Sequence, residues 1–250
     1  MSKNTVVAFA AGSLITAAAA LLLGAGSSDA TSSARAAQPA GSPDRTSYAI
    51  GHDLGASTLE RLAYDRVECS KPDLLKGFTD AFTGNTSVFT PTEMESALAV
   101  LERNVAHTIA TDRIATDPVF KALATDNLDK SEAFIAKFVA DPETKTMPGD
   151  IYYRVRESGE GASAKASDTV TVDFQARLID GTLIGAQNGY TARVDGMISG
   201  VQALMQTMKP GDRWIAVLPP QQAFGIGGRF PDIGPNQVVI AEVTLRKVEK

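Results

Sequence analysis

Cysteine and histidine are scarce in this chain of 250 residues, which has one Cys and two His. The single cysteine, Cys69, excludes an intramolecular disulfide and a multi-cysteine metal site. His52 and His107 are too few for a histidine-based metal cluster. Acidic residues outnumber basic ones, and the formal net charge of −5 offers no basic surface for nucleic acid. We therefore expect neither a metal site nor a nucleic acid partner.

Charge is also missing from most of the N-terminal segment. After Lys3, residues 6–23 are uncharged and rich in Ala and Leu, and Ala34-Arg35-Ala36 has the small-x-small pattern of a signal peptidase site. This pattern predicts a signal peptide over residues 1–36 and a periplasmic or secreted protein. The alternative is an uncleaved anchor facing outside the cytoplasm, because about eighteen apolar residues can just span a bilayer. In that case the membrane contact is limited to this segment.

The next stretch, residues 37–45, lacks large apolar side chains and is predicted to be a flexible linker. Residues 46–140 then show apolar residues at helical spacing. The pattern predicts a first helix around residues 48–59, a second after an N-cap at Ser70, and a third from Thr90 that breaks at Pro118. The third helix has an apolar stripe formed by Met94, Leu98, Leu101, Val105 and Ile109. Nothing in these helices covers the stripe, so residues 46–140 are predicted to form a homodimer.

The pattern changes after residue 149, where apolar and polar residues begin to alternate. Strands are predicted over residues 151–155, 170–174, 214–218 and 238–248, with a tight turn at Asp180-Gly181. A short helix is predicted over residues 201–208. Trp214, the only tryptophan, is predicted to pack in the core of this β-rich part. Glycines 225–228 have no strand–turn–helix context, so no nucleotide cofactor is expected there.

Six motifs in the β-rich part resemble the FKBP-type peptidyl-prolyl cis-trans isomerases and occur in the family's order. They are Asp168-Thr-Val-Thr-Val172, Arg177-Leu-Ile-Asp-Gly-Thr182, Ile198-Ser-Gly-Val-Gln-Ala-Leu204, Met208-Lys-Pro-Gly-Asp212, Ala223-Phe-Gly225 and Ile233-Gly-Pro-Asn236. Three upstream motifs are similar to the helical N-terminal domain of the Mip and FkpA group. They are Ser47-Tyr-Ala-Ile-Gly-His-Asp-Leu-Gly55, Leu75-Lys-Gly-Phe-Thr-Asp-Ala81 and Lys130-Ser-Glu-Ala-Phe134.

The resemblance implies an α+β fold in two parts. Residues 46–140 would be a helical dimerisation domain, since in that group the N-terminal helices intertwine two chains into a V-shaped dimer. Residues 150–250 would be an FKBP-type domain, an antiparallel β-sheet wrapped around a short helix. The implied function is an exported folding factor that binds proline-containing segments of unfolded client polypeptides. The family's reaction uses no covalent nucleophile, metal or cofactor.

The family's pocket can be carried over position by position. It implies a substrate-binding site made of Phe174, Ile184, Met197, Ile198, Val201, Phe224 and Ile233, together with Gly185, Ala192 and Ala241. In the family, the backbone N–H at the position of Ile198 binds the ligand carbonyl.

Several pocket positions depart from the family's pattern. Gly185 stands where the family has an aspartate, and Val201 stands where it has a tryptophan. Ala192 and Ala241 replace aromatic walls, and two usual tyrosines are phenylalanines here. Each lost ring removes about 1–2 kcal/mol of potential contact, and about 1.4 kcal/mol is tenfold in rate. Two functions therefore remain open: an isomerase of reduced activity, and a non-catalytic chaperone or adaptor that uses the cleft only for binding.

Overall fold

A computed structural model describes residues 43–250, so the predicted signal peptide and residues 37–42 of the predicted linker lie outside it. The described residues fall into two compact units, 43–75 and 76–250. Four helices come first: α1 (Arg45–Tyr64), α2 (Lys71–Thr83), α3 (Pro91–Thr116) and α4 (Pro118–Val139). Six strands and one further helix follow: β1 (Lys145–Met147), β2 (Ile151–Glu157), β3 (Thr169–Arg177), β4 (Leu183–Arg193), α5 (Ser199–Met205), β5 (Arg213–Leu218) and β6 (Val239–Glu249). Among residues 43–250, no helix is long and apolar enough to cross a membrane.

The N-terminal helices begin at side chains that cap them. The Asp44 carboxylate accepts a hydrogen bond from the Ser47 N–H at the start of α1. At the start of α3, Thr90 and Glu93 each accept from the other's backbone N–H, which satisfies two donors that a helix start leaves unpaired. Neither α1 nor α2 has a buried residue. The predicted helical N-terminal region is confirmed.

The predicted break at Pro118 is also present, and it separates α3 from α4. Asp117 ends α3 in an extended conformation, and its carboxylate accepts from the backbone N–H groups of Val119 and Phe120 to begin α4. The Arg113 guanidinium donates to the same carboxylate at 2.7 Å and lies 4.1 Å from the centre of the Phe120 ring. Proline disfavours the helical conformation in the residue that precedes it, here Asp117. Asp117 also supplies the cap that the new helix needs.

The six strands form one antiparallel sheet in the order β1-β2-β5-β6-β3-β4. The core lies in this part of the chain and contains the buried Trp214, as predicted, with the Tyr153 ring stacked on its indole at 4.4 Å. The predicted FKBP-like sheet with a short helix is therefore confirmed.

Strand β4 was expected only as a β-like run after the turn at Asp180-Gly181, without bounds, and two other elements differ from the sequence-based expectation. Strand β1 was not predicted, because its three residues lie in a segment of prolines, glycine and charges, and it pairs only with β2. Helix α5 spans Ser199–Met205 rather than residues 201–208. Gly200 suggests a turn, but it is buried inside the helix, where a Cβ would lie 2.7 Å from the Gln222 carbonyl oxygen. The glycine is needed for close packing rather than for a turn.

Helix α4 is attached to the loop before β6 by polar side chains. The Asn127 amide donates to the Pro235 carbonyl at 2.8 Å, and the Ser131 hydroxyl donates to the Asn236 carbonyl at 3.0 Å. The Ser131 oxygen also accepts from the Val238 N–H at 3.0 Å. Asn127 and Ser131 are both buried, so these bonds satisfy groups that water does not reach. Helix α4 is thus fixed to the loop that begins near Ile233.

Candidate functional site

The seven large apolar residues of the predicted pocket belong to the core of the β-rich part or pack against it. Ile184 and Ile233 are buried. The remaining five are half-buried and pack against the core: Phe174, Met197, Ile198, Val201 and Phe224. Apolar side chains that are only partly covered by the core around them are the expected lining of an apolar cleft.

The small residues of the predicted pocket form part of a continuous row across the sheet. Gly185 on β4 is opposite Ala176 on β3, which is opposite Ala241 on β6, which in turn is opposite Ala216 on β5. Residues directly opposite each other on neighbouring strands point to the same face of a sheet. The three alanines are buried in the core. Four adjacent strands therefore present no bulky side chain along this row. The residues paired with Gly185 and Ala241 are also small, so no neighbour in the row fills the space that a larger side chain would occupy.

One aromatic residue at the site is absent from the predicted set. The Tyr190 ring meets the Phe174 ring edge-on, with their centres 5.6 Å apart. Burial raises the pKa of the Tyr190 hydroxyl, and the negative charge of Glu95 on α3 raises it further. Ala192, where the family pattern places an aromatic wall, is buried and pairs with Val170. Tyr190 is two residues earlier on β4, and period-two alternation puts both on one face, which is the signal that could have identified it.

The peptide group between Met197 and Ile198 lies just before α5. Its carbonyl oxygen accepts two hydrogen bonds, from the Gln202 side-chain amide at 2.8 Å and from the Arg103 guanidinium at 3.2 Å. The Ile198 N–H makes no hydrogen bond within residues 43–250. This N–H, which the family resemblance identifies as a ligand donor, is available to an incoming carbonyl.

A second arginine, Arg229, crosses another side of the pocket. Its guanidinium donates to the Ile184 carbonyl at 2.9 Å and lies 5.3 Å from the centre of the Phe224 ring. Burial lowers the pKa of Arg229, although the charges of Asp232 and Glu102 oppose that change. Burial likewise raises the pKa of Glu102 despite the nearby arginines. Charged groups that are partly removed from water thus lie beside the apolar lining.

Helix α3 contacts the rim of the pocket on two sides through small residues. A Cβ added at Gly196 would lie 2.7 Å from the Ser96 Cα. A Cβ added at Gly227 would lie 2.8 Å from the Ala106 carbonyl carbon and 2.9 Å from the His107 nitrogen. Real Cβ atoms do not approach other atoms so closely, so only glycine fits at both places. No local pattern in the sequence predicts this contact.

The other face of α3 and the residues before it present large apolar side chains to solvent. The exposed ones in this part of the chain include Phe78, Phe82, Phe89, Met94, Leu98 and Ile109. Val105, part of the predicted stripe, is instead buried, because it lies next to Ala106 at the contact with Gly227. The stripe predicted to be uncovered is therefore exposed except at this position and at the half-buried Leu101.

Within residues 43–250, no group of three or more His, Cys, Asp and Glu side chains is placed to hold a metal ion. The site combines half-buried apolar side chains, the Ile198 N–H and half-buried charges.

Comparisons with known proteins find relatives over both the helical and the β-rich parts of the chain. The family model described as "Domain amino terminal to FKBP-type peptidyl-prolyl isomerase" matches residues 43–155, and the model described as "FKBP-type peptidyl-prolyl cis-trans isomerase" matches residues 160–246. The chain is 31% identical over 238 residues to the FKBP-type peptidyl-prolyl cis-trans isomerase FkpA of Escherichia coli, covering 88% of this chain and 84% of that protein. It is 28% identical over 211 residues to the outer membrane protein MIP of Legionella longbeachae, covering 83% of this chain and 86% of that protein.

The crystal structure of FkpA from Escherichia coli matches with a TM-score of 0.50 and 29% identity, covering 82% of this chain and 95% of that one. The relatives therefore share both the helical and the β-rich parts. The order of motifs, the antiparallel sheet around α5 and these matches lead to one conclusion: the chain belongs to the family of FKBP-type peptidyl-prolyl cis-trans isomerases.

Proposed function

We propose that this protein is an exported folding factor whose pocket binds proline-containing segments of client polypeptides and isomerises them at a reduced rate. The observation that carries the proposal is the N–H of Ile198, which makes no hydrogen bond within residues 43–250. The apolar residues expected to line the pocket belong to the core or pack against it: Phe174, Ile184, Met197, Val201 and Phe224. A client carbonyl can accept from that N–H while the prolyl ring lies against the apolar side chains.

The reduced rate follows from what the lining lacks. Rotation about an X–Pro bond has a barrier of about 18–20 kcal/mol, mostly lost amide resonance. A dry pocket lowers it by favouring the twisted amide, whose charge separation is smaller, and every tight contact to that twisted form contributes. The row of Gly185, Ala176 and Ala241 supplies few such contacts, and Val201 offers a much smaller surface than an indole. Binding of the segment is less affected, because it uses the backbone donor and the remaining apolar residues.

A protease-coupled assay on the full chain, with a short prolyl peptide, tests the catalytic part. We expect a rate above buffer, and an increase when the lining is restored in the double variant Gly185→Asp, Val201→Trp. Gln206→Trp is the matched control, because position 206 lies on the exposed end of the same helix. A wild-type rate equal to buffer, together with an inert double variant, would overturn the catalytic proposal.

A non-catalytic chaperone is the second candidate, and the exposed apolar side chains favour it. Phe78, Phe82 and Phe89 are all exposed on or between α2 and α3, where they could hold unfolded segments. An aggregation assay distinguishes the two proposed functions, if it uses a client protein whose refolding is not limited by prolyl isomerisation. Suppression by the wild type and not by Phe82→Ser supports the chaperone role. Equal aggregation with and without the protein contradicts it.

The same exposed stripe supports a homodimer formed through residues 46–140. Met94 and Leu98 are exposed one turn apart on α3, as in the seam between two helices. Sedimentation is expected to give a dimer at micromolar concentration for the wild type and a monomer for Leu98→Asp. Asn104→Asp, at an exposed position of the same helix, is the control that should remain dimeric. A monomeric wild type contradicts the proposal.

Export to the periplasm or beyond is proposed from residues 1–36 and from the relative named as an outer membrane protein. Cell fractionation followed by N-terminal sequencing tests it. Recovery outside the cytoplasm with Ala37 as the first residue supports cleavage, and an intact N-terminus in the membrane fraction supports an anchor. A cytoplasmic protein contradicts both.

A further inference from the structure

The peptide group between Met197 and Ile198 is held from two directions. Gln202, on α5, reaches its carbonyl oxygen from the same helix that the peptide group precedes. Arg103 reaches the same oxygen from α3, 94 residues earlier in the chain. The helical part of the chain therefore contributes a side chain to the same peptide group that carries the Ile198 N–H.

Hydrogen bonds to a peptide carbonyl change the N–H of the same peptide group. They draw electron density toward the oxygen, and the N–H becomes a stronger donor because linked hydrogen bonds polarise one another. A charged donor such as a guanidinium has a larger effect than a neutral amide. Two donors also restrict rotation of the peptide plane, so the N–H points in a fixed direction before a ligand arrives.

The surroundings of Arg103 keep its guanidinium at this carbonyl. Ser96 lies close to Gly196 and Ala106 lies close to Gly227, about two turns before and one turn after Arg103 along α3. Burial lowers the pKa of Arg103, and the adjacent charge of Glu102 opposes that change. A guanidinium that is partly removed from water makes a stronger bond to the Met197 carbonyl than a fully exposed one would.

We propose that Arg103 is a positioning residue of the pocket, which orients the Met197–Ile198 peptide group and strengthens the Ile198 N–H for a client carbonyl. The inference rests on the proposed binding of prolyl segments at that N–H. It makes the N-terminal helical part a contributor to the binding site, and it assigns the contribution to one side chain.

The test uses amide NMR of the full chain, which observes Ile198 without requiring isomerase activity. In Arg103→Met, the Ile198 nitrogen resonance is expected to move upfield, and Arg103→Lys, which keeps a charged donor, is expected to restore part of the shift. Arg154→Met is the matched control, because Arg154 also donates to a backbone carbonyl, that of Phe138, at 3.0 Å. It should leave the Ile198 resonance in place.

Affinity for a short peptide with a central Leu-Pro, measured by the same spectra, is expected to fall about three- to tenfold in Arg103→Met. It should recover partly in Arg103→Lys. If Arg103→Met does not fold, Gly227→Ala, which displaces α3 with Arg103 intact, is expected to cause the same upfield shift. An Ile198 resonance that stays in place in the folded variants overturns the inference. A peptide that leaves the wild-type Ile198 amide unmoved overturns instead the proposed binding on which it rests.

Discussion

Replacing Gly227 with alanine is expected to lift helix α3 off the pocket rim. The added Cβ would lie 2.8 Å from the Ala106 carbonyl carbon and 2.9 Å from the His107 nitrogen, both backbone atoms that no rotamer change can move. Carbon atoms in contact are normally about 3.5–4.0 Å apart, so the helix must retreat by at least about 0.7 Å. The backbone of Gly227 itself has a conformation that alanine accepts, because its φ is outside the left-handed region.

The same retreat would break the hydrogen bond between α3 and the pocket. The Arg103 guanidinium is 3.2 Å from the Met197 oxygen, and a further 0.7 Å or so leaves no hydrogen bond. Overpacking of this kind costs about 1–3 kcal/mol of the free energy of unfolding. In a protein of this size, that lowers the melting temperature by about 2–12 °C.

Fluorescence of Trp214 is a suitable assay, because this is the only tryptophan and it is buried in the sheet. Gly77→Ala is the matched control: Gly77 lies within α2, nothing lies within 4 Å of its added Cβ, and the change should stabilise the helix by about 0.5–1 kcal/mol. If Gly227→Ala has the melting temperature of the wild type and keeps the wild-type Ile198 amide resonance, α3 does not rest on this rim.

Three further predictions concern stability. Burial raises the pKa of Glu102 in the folded protein. The contribution of Glu102 to stability is therefore full below its ordinary pKa of 4.5, and it is lost as the pH rises through its pKa in the folded protein. Glu102→Gln should therefore match the wild type near pH 4 and melt higher near pH 7; the same difference at both pH values would contradict this. The Arg246 side chain and a backbone N–H lower the pKa of Asp173 in the folded protein. The contribution of Asp173 to stability is therefore present above its ordinary pKa of 3.8, and it is lost as the pH falls through its pKa in the folded protein. Asp173→Asn should be destabilising by at most about 1 kcal/mol at neutral pH, with the difference vanishing in acid, and an unchanged difference at low pH would refute it. Ser131→Ala removes two hydrogen bonds and leaves the buried Val238 N–H unpaired, which should cost about 1–3 kcal/mol in urea unfolding, whereas no loss would indicate that water replaces the hydroxyl.

Local signals explain what the sequence predicted well. Proline at 118 excludes a continuous helix whatever surrounds it, and a capping side chain such as Asp117 marks the new start. Alternation along β3 and β6 is similarly a property of neighbouring residues. The resemblance to a known family added the pocket positions, since their order along the chain is preserved.

The missed features depend on residues that are far apart in the chain. The contact of α3 with the rim requires small residues at 96 and 106 to meet glycines at 196 and 227, and no pattern within either segment reveals that pairing. The row that joins Gly185 to Ala216 depends on the register of four strands. Tyr190 is the exception, because it lies two residues before Ala192 on β4 in a regular part of the pairing, and local alternation could have identified it.

The hydrogen bonds between α4 and the loop before β6 determine where the β-rich part can be cut. A fragment beginning at residue 140 would lack Asn127 and Ser131, and the carbonyls of Pro235 and Asn236 would lose their partners. These atoms follow Ile233, so the damage would fall beside the pocket. A fragment that begins at Asp117 keeps both side chains and the cap of α4. A fragment limited to residues 160–246, the segment that matches the isomerase family model, therefore lacks the side chains that hold the loop after Ile233.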